Sequence, residues 1–372
     1  MFLLRKALTC DYIYKDNYIL IFDHENFRII KLKNKYSIIK IFKCIDNGGI
    51  TRRKLYHLLE ERNLSLNKFN KIINGMIEIG VIVEDYFPDR IDLVEGRGPK
   101  IKELEYDNRF GLEIAAFRRY ETDTIDRFEI FRMIQKTMIT IIGVGGIGAN
   151  LAVMLAAFGI GKIKLIDGDV VEKSNLVRQI FYKEADCGKS KKVVALKKYI
   201  NEFTTHTQVE CCDTYIDNEK DAQCLLKDED LVIQTADRPK VKIDHIINKI
   251  CVKKGIPVLF THNQSVGPFY IPGMSICYAC FAFQVNQESN GLFDEIVNSI
   301  PDDMDSIYPS LVTGPWILAY HIFNEIVRFI IPDKAPRSLN SLLLYRDGIA
   351  SRQIYKKLSD CDKCCILEKE IT

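Results

Sequence analysis

The chain has almost no net charge: 52 Lys and Arg stand against 50 Asp and Glu in 372 residues, a formal +2. That balance leaves no strong electrostatic footprint for a polyanion such as duplex nucleic acid. An extended apolar segment is missing near Met1, where Arg5 follows after four residues, so no secretory signal is expected. No apolar run reaches the roughly 18 residues that span a bilayer. Residues 316–331 come nearest, but His321, Asn324, Glu325 and Arg328 interrupt them, and the stretch reads as an amphipathic core or interface helix. Internal repeats and low-complexity tracts are absent as well. A cytoplasmic protein is expected, with no membrane and no nucleic-acid partner, whose 12 cysteines stay reduced.

What is present centres on three segments. Residues 138–142 form a β-branched run that ends at Gly143, the pattern of a buried parallel strand. Gly143, Gly145 and Gly148 match G-x-G-x-x-G, with Gly146 as a fourth glycine. Such glycines permit a tight turn, a close backbone approach to phosphate and a helix packed on the sheet. An apolar helix is expected over 150–158, its N-terminus facing an anion. A second strand over 162–166 ends at Asp167, an acceptor suited to ribose hydroxyls. Ser174, Asn175, Arg178, Gln179, Lys189 and Lys191 follow. A dinucleotide needs little more than helix N–H groups, whereas a triphosphate favours Arg and Lys. The glycines alone fit a hydride-transfer enzyme equally well, and a solvated basic face is the plain alternative for the cluster.

In combination, Gly143-Val-Gly-Gly-Ile-Gly148, Asp167, Ser174-Asn-Leu-Val-Arg-Gln179, Lys191 and the stretch 231–237 resemble the ubiquitin-activating-like adenylating family typified by ThiF, MoeB and MccB. The resemblance runs over about 105–365. It implies an ATP site in which Gly143, Gly145, Gly146, Gly148, Ser174 and Asn175 surround the nucleotide and Asp167 holds the ribose. It further implies Asn175 and Arg178 on the triphosphate, Lys191 on the α-phosphate and Asp237 on Mg²⁺ beside the point of attack. A carboxylate approaching an anionic phosphate needs cations and a metal to offset repulsion. Family members also form homodimers and often supply arginines from the partner subunit. Arg109 is the match here, while Leu112 stands where a second arginine would be; Arg118 and Arg119 are nearby substitutes.

Two pairs, Cys277-Tyr-Ala-Cys280 and Cys361-Asp-Lys-Cys364, can each supply half of a tetrahedral thiolate site. Similar pairs in the family hold a structural zinc, which implies Zn²⁺ on Cys277, Cys280, Cys361 and Cys364. Residues 281–308 contain no cysteine, so a thioester step is not expected. That polar segment reads as a mobile crossover loop.

The front of the chain has its own pattern. Strands are expected over 18–22 and 27–32, helices over 36–45, 51–62 and 65–79, and a further strand over 81–84. This is a winged-helix-like module. Residues 1–100 carry 18 basic and 13 acidic side chains, a weak case for DNA. The architecture resembles the recognition elements of peptide-maturing enzymes, which bind a leader peptide as an added strand.

The expected fold is α/β: residues 1–85 as a winged-helix-like (α+β) peptide-recognition domain, 86–104 as a linker, and 105–372 as a Rossmann-like doubly wound adenylating domain with the zinc site. The expected function is ATP-dependent adenylation of a carboxylate on a ribosomally made precursor peptide. Dehydration or ring closure would follow, in peptide-antibiotic maturation, as in the PaaA branch of the family. The alternatives are MccB-like peptide–nucleotide bond formation, activation of a sulfur-carrier protein, and a DNA-binding nucleotide-sensing regulator.

Overall fold

A computed structural model describes residues 3–7, 10–24, 26–46, 50–60, 64–85, 91–94, 98–101, 108–122, 124–262, 264–301, 311–346, 349–359 and 361. The chain divides into two compact units, Met1–Glu129 and Ile130–Thr372.

The first unit begins with β1 (Leu3–Lys6), β2 (Cys10–Tyr14), β3 (Tyr18–Asp23) and β4 (Arg28–Lys33). Helices α1 (Ile38–Asp46), α2 (Arg52–Glu60) and α3 (Leu66–Glu78) follow, then β5 (Ile82–Asp85). β2, β3 and β4 form an antiparallel meander, and β1 pairs with β5. Alternation explains the sheet: Ile19 and Ile21 of β3 point inward, and their cross-strand partners Leu32 and Ile30 pack on the same core. Phe42, Leu55, Phe69 and Ile73 from the three helices complete that core. The sequence pattern did not show β1 and β2. In β2 the inward aromatic Tyr12 carries a hydroxyl, which donates to the Val81 carbonyl at 2.6 Å, so a half-polar strand still packs against the core. Further along, β6 (Ile91–Val94) and β7 (Gly98–Ile101) pair as a short hairpin inside the stretch expected as a linker. α4 (Gly111–Ala116) follows, and the unit boundary falls within α5 (Arg127–Lys136).

The second unit alternates strands and helices. Its elements are β8 (Met138–Ile142), α6 (Gly146–Phe158), β9 (Lys162–Ile166), α7 (Lys192–Phe203), β10 (Gln208–Cys212), α8 (Glu219–Leu225), β11 (Leu231–Gln234), α9 (Lys242–Lys254) and β12 (Val258–His262). β13 (Ser265–Tyr270), α10 (Tyr278–Glu288), α11 (Leu292–Ser299), α12 (Thr313–Ile330), β14 (Ser341–Arg346) and β15 (Ile349–Ile354) complete it. The sheet order is β10-β9-β8-β11-β12-β13-β14-β15; the first five strands are parallel and the last three antiparallel. This is the expected Rossmann-like doubly wound arrangement. The chain winds outward from β8 through β9 to β10, then crosses back to β11. The carboxyl ends of β8 and β11 therefore flank the switch point, where ligands bind in open α/β sheets.

Two expectations need correction. The helix expected over 150–158 starts four residues earlier, at Gly146, because the glycine turn leads directly into it with Gly145 as its cap. The segment 281–308 is not a loop throughout: α10 and α11 occupy most of it, and 302–310 lie outside the described residues. Its Gln and Asn side chains form helix-stabilising bonds, such as Gln284 Nε2 to the Cys280 carbonyl at 2.8 Å and Asn286 Nδ2 to Asp294 at 2.6 Å. Polarity alone had made it read as a loop. No described helix is long and apolar enough to cross a membrane.

Candidate active site

Close packing fixes the turn after β8. Gly143 has φ +84°, and a Cβ there would lie 2.7 Å from the Ala236 nitrogen and Cα. Thr235 Oγ1 donates to the Ile142 carbonyl at 2.9 Å and the Gly143 carbonyl at 2.6 Å. The loops leaving β8 and β11 are thus joined at the switch point. Tyr182 adds a third support, its buried hydroxyl donating to the Val144 carbonyl at 2.6 Å.

α6 starts on this turn with no side-chain cap and no acidic residue in its first turn. Its leading N–H groups are left for an anion, with the helix dipole in support. The side chains around that end suit phosphate. A Cβ on Gly146 would lie 3.8 Å from Arg178 Cγ, and one on Gly145 would lie 3.8 Å from Gln179 Nε2. Gln179 is buried, and its Oε1 has no hydrogen-bond partner among the described residues. Arg178 Nη1 donates to the Ser174 carbonyl at 3.2 Å. Asn175 is buried and accepts the Glu172 N–H at 3.0 Å, which shapes the turn, while exposed Ser174 donates to Glu172 at 3.2 Å. The sequence motif contained Gln179 without indicating this role.

Asp167 ends β9 and accepts two backbone N–H groups, from Val144 and Asp169, each at 2.8 Å. It ties the second strand to the glycine turn. Burial pushes its carboxyl up, against the pull of Lys192. Lys191 caps α7, its ammonium 2.7 Å from the Gly168 carbonyl and 3.0 Å from Asp213 Oδ1. The adjacent Lys192 is buried and holds Asp169 at 2.6 Å. Tyr215 donates to the same carboxylate at 2.8 Å. Burial raises Asp169, but Lys192, Tyr215 and Arg238 together bring it below its ordinary value. Two adjacent lysines look alike in sequence, and Lys192 was missed for that reason.

Asp237 is exposed, three residues past the end of β11. Gln234 fixes the turn that carries it: Nε2 donates to the Ala236 carbonyl at 2.8 Å, and Oε1 accepts the Ala236 N–H at 3.2 Å. The exposed Asp237 carboxylate is chemically able to hold Mg²⁺, whose charge would offset that of phosphate. Arg109 belongs to the first unit, where it is exposed beside the Phe110 ring and acts on Glu113. The side chain of Arg118 lies outside the described residues.

Cys277, Cys280 and Cys361 are buried, and their Sγ atoms lie within 4.8 Å of one another. Cys277 Sγ is 4.0 Å from Cys280 Sγ and 3.8 Å from Cys361 Sγ. Zn–S bonds of about 2.3 Å in a tetrahedron require sulfur separations of about 3.8 Å. The thiol set therefore fits zinc in both chemistry and spacing. Cys364 lies outside the described residues.

A family model described as the ThiF family matches residues 122–364. The chain belongs to the ThiF family. Among curated ThiF-like relatives, the adenylyltransferase and sulfurtransferase UBA4 of Candida albicans is 30% identical over 273 residues, 69% of this chain and 58% of the relative. The adenylyltransferase and sulfurtransferase MOCS3 of Dictyostelium discoideum is 37% identical over 143 residues, 36% of this chain and 33% of that protein. The chain thus spans 58% or less of these relatives. E. coli MccB, solved with ATP, shares its fold at TM-score 0.71 and 21% identity, covering 97% of this chain and 99% of MccB. PaaA aligns at TM-score 0.59 and 23% identity, covering 82% of this chain and 96% of PaaA. At these identities the likeness is one of fold.

Proposed function

We propose that this ThiF-family chain is an ATP-dependent adenylating enzyme that activates a carboxylate of a ribosomally made precursor peptide in the cytoplasm. The observation that carries the reading is the uncapped start of α6 with Arg178 and Gln179 beside it, at the switch point that also carries Asp237. Arg178, the α6 N–H groups and Lys191 would neutralise the triphosphate, and Asp167 would accept ribose hydroxyls. Asp237 would hold Mg²⁺ near the α-phosphorus. The peptide carboxylate attacks that phosphorus, pyrophosphate leaves, and the product is an acyl-adenylate. Ring closure with net loss of water is the expected outcome.

The first unit supports a peptide substrate. β4 is an edge strand among the described residues and offers a free ladder for strand addition. Lys31 and Lys33 of β4, with Lys35 just beyond it, carry positive charge along this strand, which favours an acidic leader, while Arg28 is paired with Asp23. MccB, whose fold covers 98% of this chain, has been solved with its peptide MccA. A homodimer is part of the proposal, with Arg109 reaching the partner's site. Ile317 and Tyr320 form an exposed apolar face on α12 that such a dimer could cover.

A second reading, activation of a sulfur-carrier protein, is favoured by the curated relatives, whose names include sulfurtransferase. Pyrophosphate release decides between them, measured with ATP and either a panel of Glu-containing peptides or a sulfur-carrier protein, followed by product mass. Loss of water supports ring closure, and gain of a nucleotide supports a peptide–nucleotide bond. Release with the carrier alone supports the second reading. Lys31→Glu with Lys33→Glu should weaken peptide binding while leaving ATP binding intact. Tight, salt-sensitive duplex binding with no pyrophosphate release would instead indicate a DNA-binding regulator.

A further inference from the structure

His262 ends β12 at the same carboxyl edge of the sheet that carries Asp237. Gln234 pairs with Phe260 in the parallel register, so His262 stands two residues past that pair, level with Ala236. Behind it, on the first turn of α9, lies Asp244. Asp244 Oδ2 is 3.9 Å from His262 Nδ1, and Oδ1 accepts Gln234 Nε2 at 3.0 Å. The Tyr278 hydroxyl hydrogen-bonds the same carboxylate, and the Tyr278 backbone N–H donates to Asn248 Oδ1 at 2.8 Å. The Asp244 side chain is 7% exposed and that of His262 is 35% exposed. One ring nitrogen therefore faces a buried, firmly held carboxylate. Nε2 lies on the opposite side of the ring, and no described residue hydrogen-bonds to it.

This arrangement has no task in the adenylation step, because the attacking carboxylate is already ionised. The step that consumes the acyl-adenylate does need one: a nucleophile bearing N–H or O–H must lose a proton as it attacks. A half-exposed imidazole backed by a buried carboxylate is built for that transfer. We propose that His262, oriented by Asp244, is the general base of this second step; the inference rests on the adenylating reading above. The nucleophile forms a bond to the acyl carbon, and the carbon–oxygen bond to the phosphate breaks. AMP leaves with the electron pair, and the proton passes to His262 Nε2. Asp244 offsets the imidazolium charge. Gln234 serves both steps, since it anchors Asp244 with the side chain that also fixes the Asp237 turn.

The test separates the two half-reactions in the full-length protein. The probes are synthetic peptides with Glu side chains and a free C-terminal carboxylate; the one supporting the fastest ATP–pyrophosphate exchange is used throughout. His262→Gln and His262→Ala should keep exchange near the unaltered level. Product formation should slow about 10²- to 10⁴-fold, the usual worth of a general base. Adenylated peptide should accumulate, and added imidazole should restore turnover to His262→Ala, a rescue that a packing role does not allow. Product formation at the unaltered rate in both variants overturns the proposal. So does an equal loss of exchange and product in folded variants without imidazole rescue. If the unaltered protein shows no exchange with any probe, the adenylating reading fails first and this proposal with it.

Discussion

Cys277 and Cys361 stand 84 positions apart in the chain, yet their Sγ atoms lie 3.8 Å apart in the buried core beside Cys280. The contact joins the start of α10 to the segment after β15. Tyr278, next to Cys277, also bonds Asp244, so the thiol cluster and the carboxyl edge of the sheet share one side chain.

Metal analysis should therefore return about one zinc per chain, since a structural thiolate site contributes folding free energy directly. Cys277→Ser and Cys361→Ser should each lower Tm, and a strong chelator should do the same to the unaltered protein. A metal-free protein of full stability would remove zinc from this site.

Asp237→Ala should lower pyrophosphate release about 10²- to 10³-fold, the usual cost of removing one electrostatic stabiliser. Arg178→Ala should act in the same direction. Both side chains are at least partly exposed, so circular dichroism should show an unchanged fold. Full activity in Asp237→Ala would refute its place at the metal.

Glycine-to-alanine changes should have opposite signs at two helical positions. A Cβ on Gly148 would lie 2.0 Å from the Gly143 carbonyl oxygen, so Gly148→Ala must displace the turn and should cost about 1–3 kcal/mol, along with ATP binding. A Cβ on Gly75, within α3, would meet nothing within 4 Å. Gly75→Ala should stabilise the first unit by about 1 kcal/mol through helix propensity. Denaturant melts would read both.

Glu113 gives a pH signature. Burial raises its carboxyl to about 7, although Arg109 pulls the other way. Its folded value lies above its unfolded one, so the native state binds the extra proton between them. Stability should fall as pH rises from about 4.5 to about 7 on this account. Glu113→Gln should flatten that part of the profile and raise stability at pH 8. An unchanged slope between the two proteins would show that Glu113 titrates normally.

The sequence by itself determined the second unit's nucleotide half. β8 falls where a β-branched run ends at Gly143, as a strand buried on both faces requires, whereas β9 ends at Asp167 and keeps the buried Lys164 in its interior by pairing it with Glu229 at 3.2 Å. The glycine turn was visible because its spacing is a local pattern, although the atoms that exclude a side chain at Gly143 belong to the distant Ala236. Tertiary structure decided the rest. Strand β2 is held by its ladder to β3 and by the Tyr12 hydroxyl on the Val81 carbonyl, and residues 281–288 and 292–299 became helical where polarity alone pointed to a loop. Lys191 and Lys192 differ only in which one the fold turns inward to Asp169. Asp244 and His262 carry no spacing signal at all. Their approach depends on α9 packing beside β12, a contact between separate elements that local sequence pattern does not encode.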